Sequence, residues 1–211
     1  PVTRLGRAHT EITAYAQSVS ADLVVAGARG ESTLMDLILG STASRLLRLA
    51  ACPVLIVRQP ADDPYRRVLA AVDFSPVTTS VVSHALSLAD GAQVEALHVL
   101  GSEVEQRLRK AKFVQIDITD WLTRLRAEAE KQLDVLLATV SNASAVAHRI
   151  QPGFAPAVIC QHIEASHADL VVLGRHGYGG GLQDWLLGSV SKDVALAAAC
   201  DVLLISPGGQ A

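Results

Sequence analysis

The chain has 211 residues, half of them hydrophobic and 18% charged, with a formal net charge of −3 at pH 7. That balance describes a globular chain with ample core material, and it argues against a nucleic-acid partner, which would call for a basic face. No apolar run approaches the roughly eighteen residues needed to span a bilayer, and the N-terminus shows no signal-peptide pattern, so a cytoplasmic protein without a membrane partner is expected. Aromatic residues make up only 4%, so the core must be aliphatic.

In chain order, a helical stretch at 10–19 leads to an apolar run at 23–26, then to Gly27, Gly30, Gly40 and Ser41. A second helix at 41–50 and a second apolar run at 54–57 follow. Residues 60–65 begin in polar, proline-bearing sequence and read as a linker. Beyond it come a strand at 68–72 ending at Asp73, a helix at 77–89, and a strand at 94–100 that carries His98 and Val99. A charged loop at 103–119 precedes an amphipathic helix at 120–140, a strand at 146–150 and a helix at 155–167. The last strand–helix–strand unit comprises an apolar run at 170–173, Gly174, Arg175, His176 and Gly177, then Gly188, Ser189 and Val190 opening a helix at 189–199, and a strand at 202–205. The apolar runs are continuous rather than alternating, as in strands buried on both faces, and they alternate with helices. The predicted fold is therefore α/β, a doubly wound parallel sheet with helices on both faces.

The chain also repeats itself. An offset of 147 places Ala21, Asp22, Leu23, Val24 and Val25 on Ala168, Asp169, Leu170, Val171 and Val172, and Gly27 on Gly174. After the glycine loop the offset becomes 148, pairing Gly40 and Ser41 with Gly188 and Ser189, and Cys52 with Cys200. Residues 1–59 therefore read as the back half of a first unit, and 66–211 as a complete second unit with one residue added inside its glycine loop. A half unit would expose apolar surface unless a partner covers it, so dimerisation or a lost upstream segment is expected. Cys52, Cys160 and Cys200 fit neither a zinc site nor a redox pair and read as small buried thiols.

In a doubly wound sheet, ligands bind beyond the C-terminal ends of the strands near the switch in strand order. Asp73, Val99 and the loop from Gly174 to Ser189 fall there. Backbone N–H groups of Gly177, Gly188 and Ser189 suit phosphates, the Asp73 carboxylate suits a base amino group, a ribose or a metal, and the Val99 backbone suits a base edge. Structural roles stand beside these: Asp73 or Ser189 as a helix cap, His98 as a core or edge histidine, Trp185 as packing. Arg29 and Arg175, paired here as equivalent loop arginines, either offset phosphate charge or are solvated. No Walker lysine follows the glycines, and no dinucleotide fingerprint follows the strand at 68–72, so no enzymatic reaction is indicated.

On these residues the chain resembles the universal stress protein family. The family's nucleotide-binding pattern, G-x2-G-x9-G-[S/T], is matched in spacing by Gly27, Gly30, Gly40 and Ser41, and the Asp73–Ser75 and His98–Val99 positions are similar to its other marks. The second loop departs by one residue, with ten between Gly177 and Gly188. The resemblance implies five parallel strands per domain in an adenine nucleotide alpha hydrolase-like fold. It implies pairing of domains or of chains in a homodimer through the last strands, 54–57 and 202–205, and a regulatory, adenine-nucleotide-binding role in stress adaptation with ATP, with or without Mg2+. Some members lack the glycine motif and act through dimerisation and partner binding. The nucleotide-binding residues carried over are Asp73, Val99, Gly174, Arg175, Gly177, Gly188, Ser189 and Val190, with Gly27, Gly30, Gly40 and Ser41 in the first repeat. The preferred site is the loop at 174–189, on the condition that its extra residue leaves Gly188 in place.

Overall fold

The computed structural model describes residues 1–28, 39–58, 63–101, 118–177 and 187–206. Its strands are β1 (Val24–Gly27), β2 (Val54–Val57), β3 (Arg67–Val72), β4 (Gln93–Leu100), β5 (Ala147–Pro152), β6 (Leu170–Gly174) and β7 (Asp201–Ile205). Its helices are α1 (Ala8–Ser18), α2 (Ser41–Leu49), α3 (Thr78–Leu88), α4 (Ile118–Thr139), α5 (Ala155–Ser166) and α6 (Ser189–Ala197). Every strand and helix expected from the sequence is present, with ends shifted by a residue or two, as fraying ends allow. The helix expected from residue 120 begins at Ile118, and residues 102–117 lie outside the described part.

The strands form one seven-stranded sheet in the order β1-β2-β7-β6-β3-β4-β5. Five of them, β7 through β5, are the parallel sheet expected of a complete unit. The resemblance implied pairing through the last strands, 54–57 and 202–205, and the structure has it. Here β2 and β7 are hydrogen-bonded antiparallel, with Leu55 opposite Leu203, so the two units share one continuous sheet. The ladder satisfies backbone groups that would otherwise be bare strand edges.

Burial explains the strand sequences. All four residues from Leu170 to Leu173, and every residue of β7, are buried, because helices cover both faces. On one face, Leu46 and Leu47 of α2, Ile159 and Ile163 of α5, and Val194 and Ala195 of α6 pack on Val54, Ile56, Val171, Val202 and Leu204. On the other face, Val81, Val82 and Ala85 of α3 and Leu133 of α4 pack on Val68, Ala70, Val172, Leu203 and Ile205. Each fully buried Leu or Val contributes about 1.5–3 kcal/mol relative to exposure. As the repeat analysis anticipated, the first unit shows apolar groups to solvent: Leu5 is 97% exposed and Val25, in the edge strand β1, is 59% exposed. The stretch at 60–65 ends less loosely than a linker, since Tyr65 is half-buried and its hydroxyl donates to Asp201 at 2.8 Å.

One partly exposed polar cluster, with only His162 buried, braces β4, β5 and α5. Glu95 accepts hydrogen bonds from His162 Nε2 at 2.9 Å and from Arg149 Nε at 2.9 Å. Burial alone would raise the Glu95 carboxyl, but the bonds from His162 and Arg149 outweigh it and hold it below its usual range. Because the folded value is the lower one, its stabilisation is present above the ordinary glutamate range, near pH 4.5, and is lost as pH falls through the folded value. Urea unfolding of wild type and Glu95→Gln should therefore differ most above about pH 5 and converge as pH is lowered below the ordinary glutamate range. A stability gap that widens with acid would contradict this assignment.

Candidate functional site

The strand order reverses between β3 and β6, so the crevice lies at their C-terminal ends. Asp73 follows directly on β3. Its Oδ1 accepts the Ser75 N–H at 3.0 Å and the Thr78 hydroxyl at 3.2 Å, which braces the turn into α3. The structural role expected of Asp73 is thus real, and both of these bonds run to one carboxylate oxygen. The other, Oδ2, lies against Gly177: a Cβ added there would sit 3.1 Å from it. Asp73 and the glycine loop, 104 positions apart in sequence, are neighbours.

Val99 lies one residue past the paired positions Val72 and His98, level with Asp73, and is half-buried. His98 donates from Nδ1 to the Val72 carbonyl at 2.9 Å, a tie between β3 and β4. Burial of the ring pushes its pKa down despite that bond, so it is neutral at pH 7. Phe74 stacks on it at 4.4 Å between ring centroids, from a left-handed backbone at φ +59° that is costly for an aromatic residue. This strained ring beside Asp73 was missed in the sequence, since nothing in an Asp-Phe-Ser string signals a positive φ.

The glycine loop is fixed at both ends. Gly174 has no room for a side chain, because a Cβ would lie 2.7 Å from Val77 Cγ2. The Ser191 hydroxyl, buried in the first turn of α6, donates to the Gly174 carbonyl at 2.7 Å. Gly188 caps α6 and donates its N–H to the Arg175 carbonyl at 3.0 Å. The first unit builds the same closure, with Gly40 N–H on the Ala28 carbonyl at 2.8 Å. The caps have nearly the same backbone angles: φ −59°, ψ 149° at Gly188 and φ −58°, ψ 150° at Gly40. The added residue therefore leaves Gly188 where the shorter loop has Gly40.

That correspondence corrects two expectations. Ser189 and Ser41 are the first residues of their helices rather than caps, and no side chain caps either helix. Arg175 corresponds to Ala28, not to Arg29: Arg175 and Ala28 donate their N–H groups to the Ile205 and Val57 carbonyls, each at 2.8 Å. Arg175 is also not solvated, being 5% exposed.

In α6 the first intrahelical bond runs from Lys192 N–H to the Gly188 carbonyl at 2.9 Å. The N–H groups of Ser189, Val190 and Ser191 precede that ladder at the positive end of the helix dipole. Beside them, both ring nitrogens of His176 are buried without a partner. Asp73, Val99, Gly174, Gly177, Gly188, Ser189 and Val190 are thus brought to one end of the sheet. In the first unit Gly27, Gly40 and Ser41 hold the corresponding places at the ends of β1 and α2. Gly30 and Trp185 lie outside the described residues. Among the described residues no cluster of His, Cys, Asp and Glu suits a metal ion, and no helix is long and apolar enough to cross a membrane.

A family model described as "Universal stress protein family" matches residues 1–58 and 64–206. The chain belongs to the universal stress protein family. A universal stress protein of Mycolicibacterium smegmatis is 34% identical over 204 residues, covering 90% of this chain and 63% of that protein. Universal stress protein A homolog 1 of Coxiella burnetii is 31% identical over 144 residues, 67% of this chain and 96% of the relative. Among solved structures, a universal stress protein from Archaeoglobus fulgidus superposes with a TM-score of 0.63 at 22% identity, over 95% of this chain and 67% of that one. A putative universal stress protein from Pseudomonas aeruginosa gives 0.66 at 21% identity, over 96% and 69%. These likenesses carry the fold. The chain spans under two thirds of the length of the mycobacterial universal stress proteins it matches.

Proposed function

We propose that this universal stress protein binds an adenine nucleotide, ATP in the first instance, in the crevice between β3 and β6, and acts as a regulatory binding module rather than an enzyme. The observation that carries the reading is the meeting of the Asp73 carboxylate with the glycine loop at Gly177, beside the start of α6, which no side chain caps. Phosphates would meet the N–H groups of Gly177, Gly188, Ser189 and Val190, where the helix dipole favours negative charge. The Val99 backbone would meet the base, and Asp73 would hold the ribose, a base amino group or Mg2+. The equal closure of the two loops supports the longer one as a working cradle. Arg175 enters through its carbonyl, which positions Gly188.

A second reading, partner binding through the first unit, draws on the exposed Leu5 and Val25 and on the open edge of β1. Titration calorimetry with ATP and Mg2+ separates the two, with native mass spectrometry to report bound nucleotide and oligomer size together. Saturable binding supports the first. No heat at millimolar ATP, with dimers in the native spectrum, supports the second.

A further inference from the structure

Arg175 is 5% exposed, and its Nε and Nη2 atoms are fully buried without a hydrogen-bond partner. Native interiors rarely leave such donors unused, and the cost is greatest when the group is charged. Burial pulls the guanidinium pKa down, as expected of a cation that has lost water. An arginine nevertheless stays charged at neutral pH, so the charge has to be met where it lies.

The loop does not need this side chain. Its counterpart Ala28 is buried in the same place, donates its N–H to the last strand of its own unit in the same way, and brings only a methyl group. The direction of the Arg175 side chain follows from the strand. Its N–H bonds to the Ile205 carbonyl at 2.8 Å and so extends the β6 ladder by one residue. Side chains alternate along a strand, which puts Arg175 on the face of Val171 and Leu173, in the layer covered by α2, α5 and α6. Ala28 belongs to that same layer. Gly174, one residue earlier, faces Val77 at the head of α3 on the other side.

Covalent geometry says which acceptor fits. Nε and Nη2 lie on one edge of the guanidinium, and their N–H bonds run parallel in a fixed fork. Two oxygens of one planar group match that fork, as in an arginine–carboxylate pair. No carboxylate among the described residues takes this place, since both donors lack a partner. A single negative charge neutralises the cation, whereas a divalent anion would leave a net charge buried.

We propose that Arg175 anchors a binding site for a small, flat, monovalent oxyanion, a free carboxylate in the first instance, gripped side-on by Nε–H and Nη2–H. Binding there satisfies a buried charge instead of burying a new one. The site stands apart from the nucleotide reading. The phosphates of that reading meet backbone N–H groups at the start of α6, whereas this site uses a side chain turned into the apolar layer.

The test melts the nucleotide-free full chain at neutral pH and fixed ionic strength while chloride is exchanged for formate. Formate spans the fork with two oxygens, and chloride does not. The wild-type Tm should rise saturably, by about 2–4 °C at about 100 mM formate, and Arg175→Met, which keeps the aliphatic volume, should lose the rise. Two further readouts serve if that variant folds poorly. Arg175→Lys, which keeps the charge without the fork, should lose the preference for formate over chloride. The carbon-13 line of labelled formate should broaden on adding wild-type protein and sharpen again when nitrate is added. Saturating ATP should leave the formate response in place. An equal response in wild type and Arg175→Met, no response in wild type, or loss of the formate response under ATP overturns the proposal, and the last of these would give the fork to a nucleotide phosphate.

Discussion

Gly177→Val is expected to weaken ATP binding by at least about 100-fold, close to 3 kcal/mol, while leaving the fold intact. A Cβ at this position lies 3.1 Å from Asp73 Oδ2, and the two γ-methyls of valine extend further into the space where that carboxylate meets the loop. Gly177 is exposed and its backbone is not left-handed, so the substitution is a steric plug rather than a source of backbone strain. Exposed positions of this kind usually change stability by no more than about 0.5 kcal/mol. Calorimetry measures the loss of affinity, and a melting curve on the same sample checks the fold. Wild-type ATP affinity in a folded Gly177→Val protein would remove Gly177 from the site and place the nucleotide elsewhere on the chain.

The largest effect on stability is expected at Asp201. This carboxylate opens β7, is 4% exposed, and accepts the Arg58 N–H at 2.7 Å and the Tyr65 hydroxyl at 2.8 Å. Burial and the bond to Asp201 both hold the Tyr65 phenol above its ordinary range, so the hydroxyl stays protonated and donating. These contacts bind the end of β2 and the approach to β3 to the start of β7. Asp201→Ala leaves two donors without an acceptor in a water-poor place, at a cost of about 1–3 kcal/mol for each. We expect a loss of about 3 kcal/mol, or about 6–12 °C in Tm for a chain of this length, and a smaller loss in Asp201→Asn, which keeps one acceptor oxygen. A Tm within about 2 °C of wild type for Asp201→Ala would show that the neighbours find other acceptors.

The sequence carried a hint of this residue. The repeat aligns Asp201 with Pro53, so a carboxylate begins an apolar run where the first copy has proline. What it could not supply was the reason to keep an acid there, because Arg58 and Tyr65 are more than 130 positions away. The same holds for Cys52 and Arg175. Each is readable as a residue type, but the buried thiol expected at Cys52 is in fact only half-buried, and Arg175 is buried rather than solvated.

By itself the sequence determined the element order, the continuous apolar strands, the matching residues at offsets of 147 and 148, and the family. These are local or periodic properties: strand burial, helix periodicity and glycine spacing are written within a few residues of one another. Tertiary structure decided the rest. It decided that both units share one sheet through β2 and β7 and that the longer loop closes on the same bond as the shorter one. It brought one Asp73 oxygen to Gly177 and buried Arg175 in the seam. Each of these depends on groups far apart in the chain, and only the packed sheet fixes their distances.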